Sequence, residues 1–357
     1  MPELFVDISA HGLGHLAQTA PVLNALQRAR PELRITVRSG LPPDRLAARI
    51  AVPFEFIPAE PDFGYVMRDA LDIDLAGSAS RYRERHGNWF QAVAAEADFL
   101  RRRQPDLVLS NVAYLPLAGA ARAGIPAVAM CSLNWADLFA HYFGKEAWAG
   151  AIYDEMLSAY RGASAFLRIT PGMPMVALHN LHPIGPVAAV ITSQRLQIAE
   201  RLGLPLTERW VLVGLGGIEH RLPVTHWPRL SGVRWLVADD WQAVRDDISV
   251  YDKSTPFAAM LASADALITK TGYGSFAESA CNGVPVLYLG RPDWPEQPAL
   301  VEWLREHNRC VEITRAEASS GAFACRLEEM WQASPPPRPL PSGIDQACVW
   351  LSRMLAE

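Results

Sequence analysis

The chain has 357 residues, of which 50% are hydrophobic and 20% charged, with a formal net charge of −5. That balance suits a folded chain of two domains and leaves no basis for extensive disorder. No long Lys/Arg block offsets the acidic charge, so nucleic acid is not an expected partner.

The chain opens MPELFVDISAHGLGH. With no basic segment ahead of the apolar run, this reads as a buried first strand over 4–9 and not as a signal peptide. Further strand-like runs stand at 33–38, 54–57, 107–110 and 127–131, with helical patterns such as 17–30 and 89–103 between them, the alternation of parallel α/β units. The stretch 163–186, containing PGMPM and HPIGP, is looser and is read as the domain boundary. The pattern then restarts with a helix at 193–202 and strands at 210–213, 234–237, 266–269, 284–289 and 310–313. Helices are expected at 256–263, 275–281, 297–306 and 322–332. The run SPPPRPLPSG, 334–343, is expected to be an extended strap carrying a final helix at 344–355. The expectation is therefore an α/β chain with Rossmann-like domains at 1–186 and 187–333 facing across a cleft, followed by the strap and helix at 334–357. Ligands of such sheets sit beyond the carboxyl ends of the strands. Five scattered cysteines, never in C-x-x-C spacing, predict reduced thiols and no structural zinc. No run approaches the roughly 18 apolar residues of a spanning helix, and a cytoplasmic protein is expected.

Two stretches carry chemistry. The first strand leads into HGLGHLAQT, 11–19. Gly12 and Gly14 are expected to let the backbone turn and approach a ligand, while the following helix offers free N–H groups and its positive end to an anion. The loop is not a dinucleotide fingerprint, because Ala17 stands where its third glycine would be and Arg38 and Ser39 close the second strand in place of an acid. His11 and His15 on this loop could each accept a proton from an attacking hydroxyl; each could equally cap the helix or fill the loop. The second stretch, ADALITKTGYGSFAESACNGVPVLYLG, ends a strand at Lys270. Thr271, Gly272, Tyr273, Gly274 and Ser275 then form a turn, with Ser275 a candidate cap and Glu278 one turn into a helix. That shape suits a nucleoside diphosphate, amides toward the phosphates and the carboxylate toward the ribose diol. A plain capped turn with a solvated glutamate would look the same. Gly216 and Gly217 in VLVGLGG, and Arg291, Asp293, Glu296 and Gln297 in GRPDWPEQPAL, are further candidates for phosphate and sugar contacts. Asp72-Ile73-Asp74 is taken as a surface or acceptor-side feature. Trp135, Phe139, Tyr142 and Phe143 have near-helical spacing and are read as core, or with Asn134, Asp137 and His141 as one wall of an acceptor groove.

These motifs, together with SNVAYLPLAGAARAGIPAVAM and CSLNWADLFAHYF, resemble GT-B glycosyltransferases. The likeness is to the glycosyltransferase-like N-terminal region of plant L-arabinokinases and, more distantly, to the peptidoglycan lipid-intermediate N-acetylglucosaminyltransferase. The resemblance implies a transferase moving a hexosyl or pentosyl unit from a nucleotide-diphosphate sugar, a UDP-sugar favoured, to a small-molecule or lipid-linked acceptor. It implies inversion at the sugar, no metal and no cofactor. Residue by residue, it puts His15 beside the acceptor hydroxyl or donor diphosphate, Gly272 to Ser275 at the diphosphate, Glu278 at the ribose and Gln297 near the sugar. Asn111 departs from the pattern, standing where many arabinokinase-type relatives carry Asp. A nucleotide-sugar epimerase or hydrolase on the same fold, or a nucleotide-sugar-binding protein without turnover, remain the alternatives.

Overall fold

The computed structural model describes residues 1–217, 220–252 and 255–356. The chain divides into two compact units. The first holds Met1–Arg68, Asp72–Val187 and Ser342–Glu357, and the second holds Asp69–Leu71 and Ala188–Pro341.

The first unit is built on seven strands: β1 (Glu3–Ile8), β2 (Arg34–Ser39), β3 (Glu55–Pro58), β4 (Leu107–Asn111), β5 (Ala127–Cys131), β6 (Ala165–Ile169) and β7 (Leu181–Ile184). They are ordered β3-β2-β1-β4-β5-β6-β7 and paired in parallel throughout. A parallel sheet with helices on both faces buries every side chain, and for that reason its central strands read as unbroken apolar runs. Leu4, Phe5, Val6 and Ile8 on β1 and Leu107, Val108 and Leu109 on β4 are fully buried. Of the two acids in β1, Glu3 pairs with Arg34 and Arg103 at its start, and the fully buried Asp7 is matched by Arg38 on β2 at 2.6 Å, while Arg38 also reaches Glu96 at 2.5 Å. Paired in this way, the buried ions avoid the cost of an isolated charge.

The second unit is built on β8 (Arg209–Val213), β9 (Val233–Ala238), β10 (Ile248–Tyr251), β11 (Ala266–Lys270), β12 (Val286–Leu289) and β13 (Cys310–Ile313), ordered β10-β9-β8-β11-β12-β13 and again parallel. Ala70 and Leu71 are buried in its core beside Leu215, Leu222 and Val224. Among the described residues no helix is long and apolar enough to cross a membrane.

Two expectations change. The stretch 163–186 is not loose, since it contains β6 and β7; Pro183 is tolerated because β7 pairs on one side only, and an edge strand can lack a donor. The first helix begins at Leu13, so His15 belongs to its first turn and not to the loop before it.

Candidate active site

Each sheet reverses its strand order once, between β1 and β4 in the first and between β8 and β11 in the second. In open parallel sheets that reversal leaves a crevice at the carboxyl ends of the two central strands, where ligands bind. The residues singled out from the sequence gather at these two places.

At the first, β1 delivers Ser9 to Leu13 and β4 delivers Asn111. Gly12 has φ 170°, extended backbone that any residue adopts, and Gly14 is helical. Neither is needed for a turn, contrary to expectation. Instead, among the described residues a Cβ at either position would meet nothing within 4 Å beyond its own chain neighbours and helix backbone, so the two glycines leave open space at the helix N-terminus. His15 is buried, with its Nδ1 2.8 Å from Asn111 Oδ1 and 3.8 Å from Cys131 Sγ. Asn111 Nδ2 donates to Gln18 Oε1 at 3.0 Å, and Gln18 Nε2 donates to Ser132 Oγ at 2.7 Å. This run of amides turns the Asn111 oxygen toward the imidazole. An amide oxygen only accepts, so Nδ1 carries the proton and the lone pair lies on Nε2. His11 is wired the opposite way: its Nδ1 accepts the Tyr65 N–H at 3.2 Å, which leaves the proton on Nε2. Both rings lie against the fully buried Trp135, with centroids at 5.2 Å for His11 and 5.5 Å for His15. Trp135 and Phe139 are fully buried and Phe143 is nearly so, making these three core while Tyr142 is half-buried, and Asn134 caps their helix by accepting the Asp137 N–H at 2.8 Å. Asp74 likewise caps the helix Leu75–His86 through the Gly77 N–H.

A residue not anticipated from the sequence completes this cluster. Asp62 is buried, accepts from Ser9 Oγ at 2.7 Å through one oxygen and from Trp135 Nε1 at 2.5 Å through the other. Burial pushes its carboxyl up, opposed by the Ser9 hydrogen bond, the field of His15, the Trp135 N–H and Arg85.

At the second reversal, β11 ends in Lys270 and the helix Tyr273–Asn282 starts immediately after Gly272. Gly272 is extended, with φ −176°, and its side-chain position is open: the nearest atoms to a Cβ there are Lys270 Nζ and the Lys270 carbonyl oxygen, both at 3.9 Å. Gly274 and Ser275 are in the first helical turn, and Ser275 is not the cap; its hydroxyl lies 3.4 Å from Thr269 Oγ1. Glu278 is 1% exposed, which removes the solvated-helix reading. From β8 comes Gly216, whose φ of 90° does require glycine, followed by Gly217. The aliphatic end of Lys270 passes 3.8 Å from the Gly216 side-chain position, between the two glycine loops. Lys270 is the second unanticipated residue: burial first, then the charge of Arg291, push its ammonium down to about 7 against the pull of Glu296. After β12, the Gln297 side-chain oxygen accepts from Thr271 Oγ1 at 2.9 Å and from the Arg291 N–H, tying the two loops together. Its Nε2 has no protein partner among the described residues and can donate to a ligand. Glu296 is buried and accepts from Trp294 Nε1 at 3.2 Å, while Arg291 stacks 4.2 Å over the Trp294 ring. Among the described residues no group of three or more His, Cys, Asp or Glu is placed to hold a metal ion.

No family model matches the chain. It is 22% identical over 333 residues to L-arabinokinase of Arabidopsis thaliana, covering 92% of this chain but only 32% of that protein, about a third of its length. Among solved structures it is similar to Arabidopsis thaliana UGT89C1, with a TM-score of 0.63 and 17% identity over 99% of both chains; that protein has also been solved with UDP-L-rhamnose, with a TM-score of 0.61 and 15% identity over 98% of this chain and 93% of that one. It is similar to the calicheamicin glycosyltransferase CalG4, with a TM-score of 0.62 and 16% identity over 100% of this chain and 99% of that one. Two parallel α/β sheets, each with a reversal at its centre, and this likeness over the whole length give the chain the GT-B fold of those glycosyltransferases.

Proposed function

We propose that the chain is a glycosyltransferase that takes a hexosyl or pentosyl unit from a nucleotide-diphosphate sugar, a UDP-sugar favoured, and delivers it to a small-molecule or lipid-linked hydroxyl. The observation that carries this reading is the open position at Gly272. There a helix N-terminus, Lys270 and the Gly216 loop come together around an open side-chain position, with Glu278 buried in the helix. The amides of a helix N-terminus and the helix dipole suit a diphosphate, and a lysine adds a point charge. Thr271 and Gly272 through Ser275 are the proposed phosphate contacts, Glu278 the ribose contact, and Gln297 Nε2 with Glu296 the sugar contacts. The UDP-L-rhamnose complex of UGT89C1 supports the choice of donor.

The tautomers favour His15 over His11 as base. His15 Nε2 offers a lone pair with no protein partner among the described residues, whereas the His11 lone pair already accepts a backbone N–H. In the proposed inverting step the acceptor oxygen forms a bond to the anomeric carbon as its proton passes to His15 Nε2. The bond to the diphosphate breaks with its electron pair going to the leaving oxygen, where amides and Lys270 meet the charge in place of a metal.

The test is a thermal-shift and calorimetric titration with UDP in EDTA. Stabilisation without divalent ions is expected, as is a loss of about 1 to 3 kcal/mol of binding in Glu278→Ala, the range of a hydrogen bond to a charged group. Binding that requires Mg²⁺, or that ignores Glu278→Ala, would overturn the donor assignment.

A further inference from the structure

Among the described residues the proposed base has no charged hydrogen-bond partner. Asn111 is an amide; it sets the His15 tautomer through its oxygen but carries no charge to stabilise the imidazolium formed when Nε2 takes a proton. A carboxylate in that place would do both. The same packing holds one acid, Asp62, which lies in the fields of His15 and Arg85 and takes its hydrogen bonds from Ser9 and Trp135. One oxygen accepts the Ser9 hydroxyl and the other the Trp135 indole N–H, and Ser9 Oγ in turn accepts the His11 N–H at 3.3 Å. One donor on each oxygen favours the ionised form, against the burial that pushes the carboxyl up. The indole that Asp62 holds is the ring against which His15 and His11 both pack.

We propose that Asp62 is a positioning residue of this site: it is the counter-charge of His15, stabilising the imidazolium by its field while fixing the Trp135 ring on which the imidazole rests, so that tautomer and charge are supplied by two different residues, Asn111 and Asp62. The proposal rests on the reading of His15 as base.

The other groups facing this pair do not supply the charge. Cys131 on β5 is a thiol beside Nδ1, and His11, on the loop before the helix that carries His15, is a second imidazole. Tyr65, Tyr82, Tyr114 and Tyr160 are buried phenols; burial pushes all four up, and the field of Asp62 adds to the shift of the last three, so they stay neutral. Arg85 on the helix Leu75–His86 is a cation, which opposes an imidazolium, and its guanidinium donates to the Pro61 carbonyl at 2.5 Å. Asp7 on β1 is committed to Arg38 at 2.6 Å.

The experiment is an NMR titration of the intact chain, following the His15 ring, assigned with His15→Gln, and the Asp62 side-chain carboxyl. In Asp62→Asn the His15 midpoint is expected to fall by about one pH unit, the effect of losing a nearby opposite charge in a buried setting. In Asn111→Asp it is expected to rise, and the double variant is expected to return near the parent value. The exposed His141 is expected to titrate unchanged in all of them. A His15 midpoint unmoved in a folded Asp62→Asn protein would overturn the proposal. Should that variant not fold, the parent chain decides: the Asp62 carboxyl is expected to be ionised throughout the range in which His15 titrates, and a carboxyl still protonated there would be no counter-charge. The measurement needs neither donor nor acceptor. Failure of His15 as base, seen as full turnover in His15→Ala, would therefore be distinct from failure of the electrostatic pair.

Discussion

In the proposed donor site Lys270 would link donor binding to proton concentration. In the folded chain its ammonium is pushed down to about 7, while in the unfolded chain it keeps its ordinary affinity for the proton. The sign follows directly. Above pH 7 the unfolded state holds a proton that the folded state lacks, so this group makes the folded chain gain stability as pH rises toward the ordinary lysine range. Donor binding runs the other way, because a diphosphate favours the charged amine and binding must take up a proton. The affinity for UDP is expected to weaken by up to about tenfold per pH unit above 7. Calorimetry in buffers of different ionisation enthalpy should register the proton taken up, and Lys270→Gln should abolish both effects. A donor affinity flat between pH 6.5 and 8.5 would remove Lys270 from the phosphate site. Neither Lys270 nor Asp62 announced itself in the sequence. His11, His15 and Glu278 stood in glycine-bearing motifs at predicted strand ends, and their surroundings could be guessed. Asp62 lies in the plain run PDFGY, and its place beside Trp135, 73 residues further on, exists only once the sheet order is known.

At the scale of elements, the glycines divide into two kinds that the sequence could not separate. Gly216 at φ 90° is held by backbone conformation, so Gly216→Ala is expected to cost roughly 1 to 3 kcal/mol of stability, read as a lower midpoint in urea. Gly272 is extended and its side-chain position is open. Gly272→Ala is therefore expected to leave stability unchanged and to weaken UDP binding by about tenfold or more, because the methyl group occupies the space offered to phosphate. Equal effects of the two substitutions on stability would contradict this division. The elements were legible where a strand is central and apolar on both faces, as β1, β4 and β11 are. Edge position alone did not hide a strand, since β3 and β13 at the other two edges were expected at 54–57 and 310–313; the strands missed are β6, β7 and β10. β7 and β10 are four-residue edge strands, one of them contains a proline, and neither carries the long apolar signature of a strand buried on both faces.

The whole molecule is two units, neither of them one continuous piece of chain. The helix Gly343–Met354 belongs to the first unit, packed on the helix Leu13–Ala29 that carries His15. Ala347 and Leu351 are fully buried, Trp350 lies 4.4 Å from His182, and the Gln346 side chain accepts the Gly185 N–H at 2.6 Å. A chain ending at Pro341 is expected to lose about 3 kcal/mol or more from the first unit, the cost of removing a buried leucine-sized contact. UDP affinity, which the proposed function places on residues of the second unit, is expected to survive, and its loss would contradict that placement. Reciprocally, the second unit holds Ala70 and Leu71 in its core, a segment made long before the rest of it. On a ribosome, where domains complete themselves in the order they emerge, this interleaving sets a sequence of events. Residues 69–71 wait, already synthesised, for the core they will enter, and the helix bearing His15 keeps an apolar face uncovered until residues 343–354 arrive. The first unit is begun first and finished last, so a stalled or truncated product of this chain would carry its proposed base on an unfinished surface.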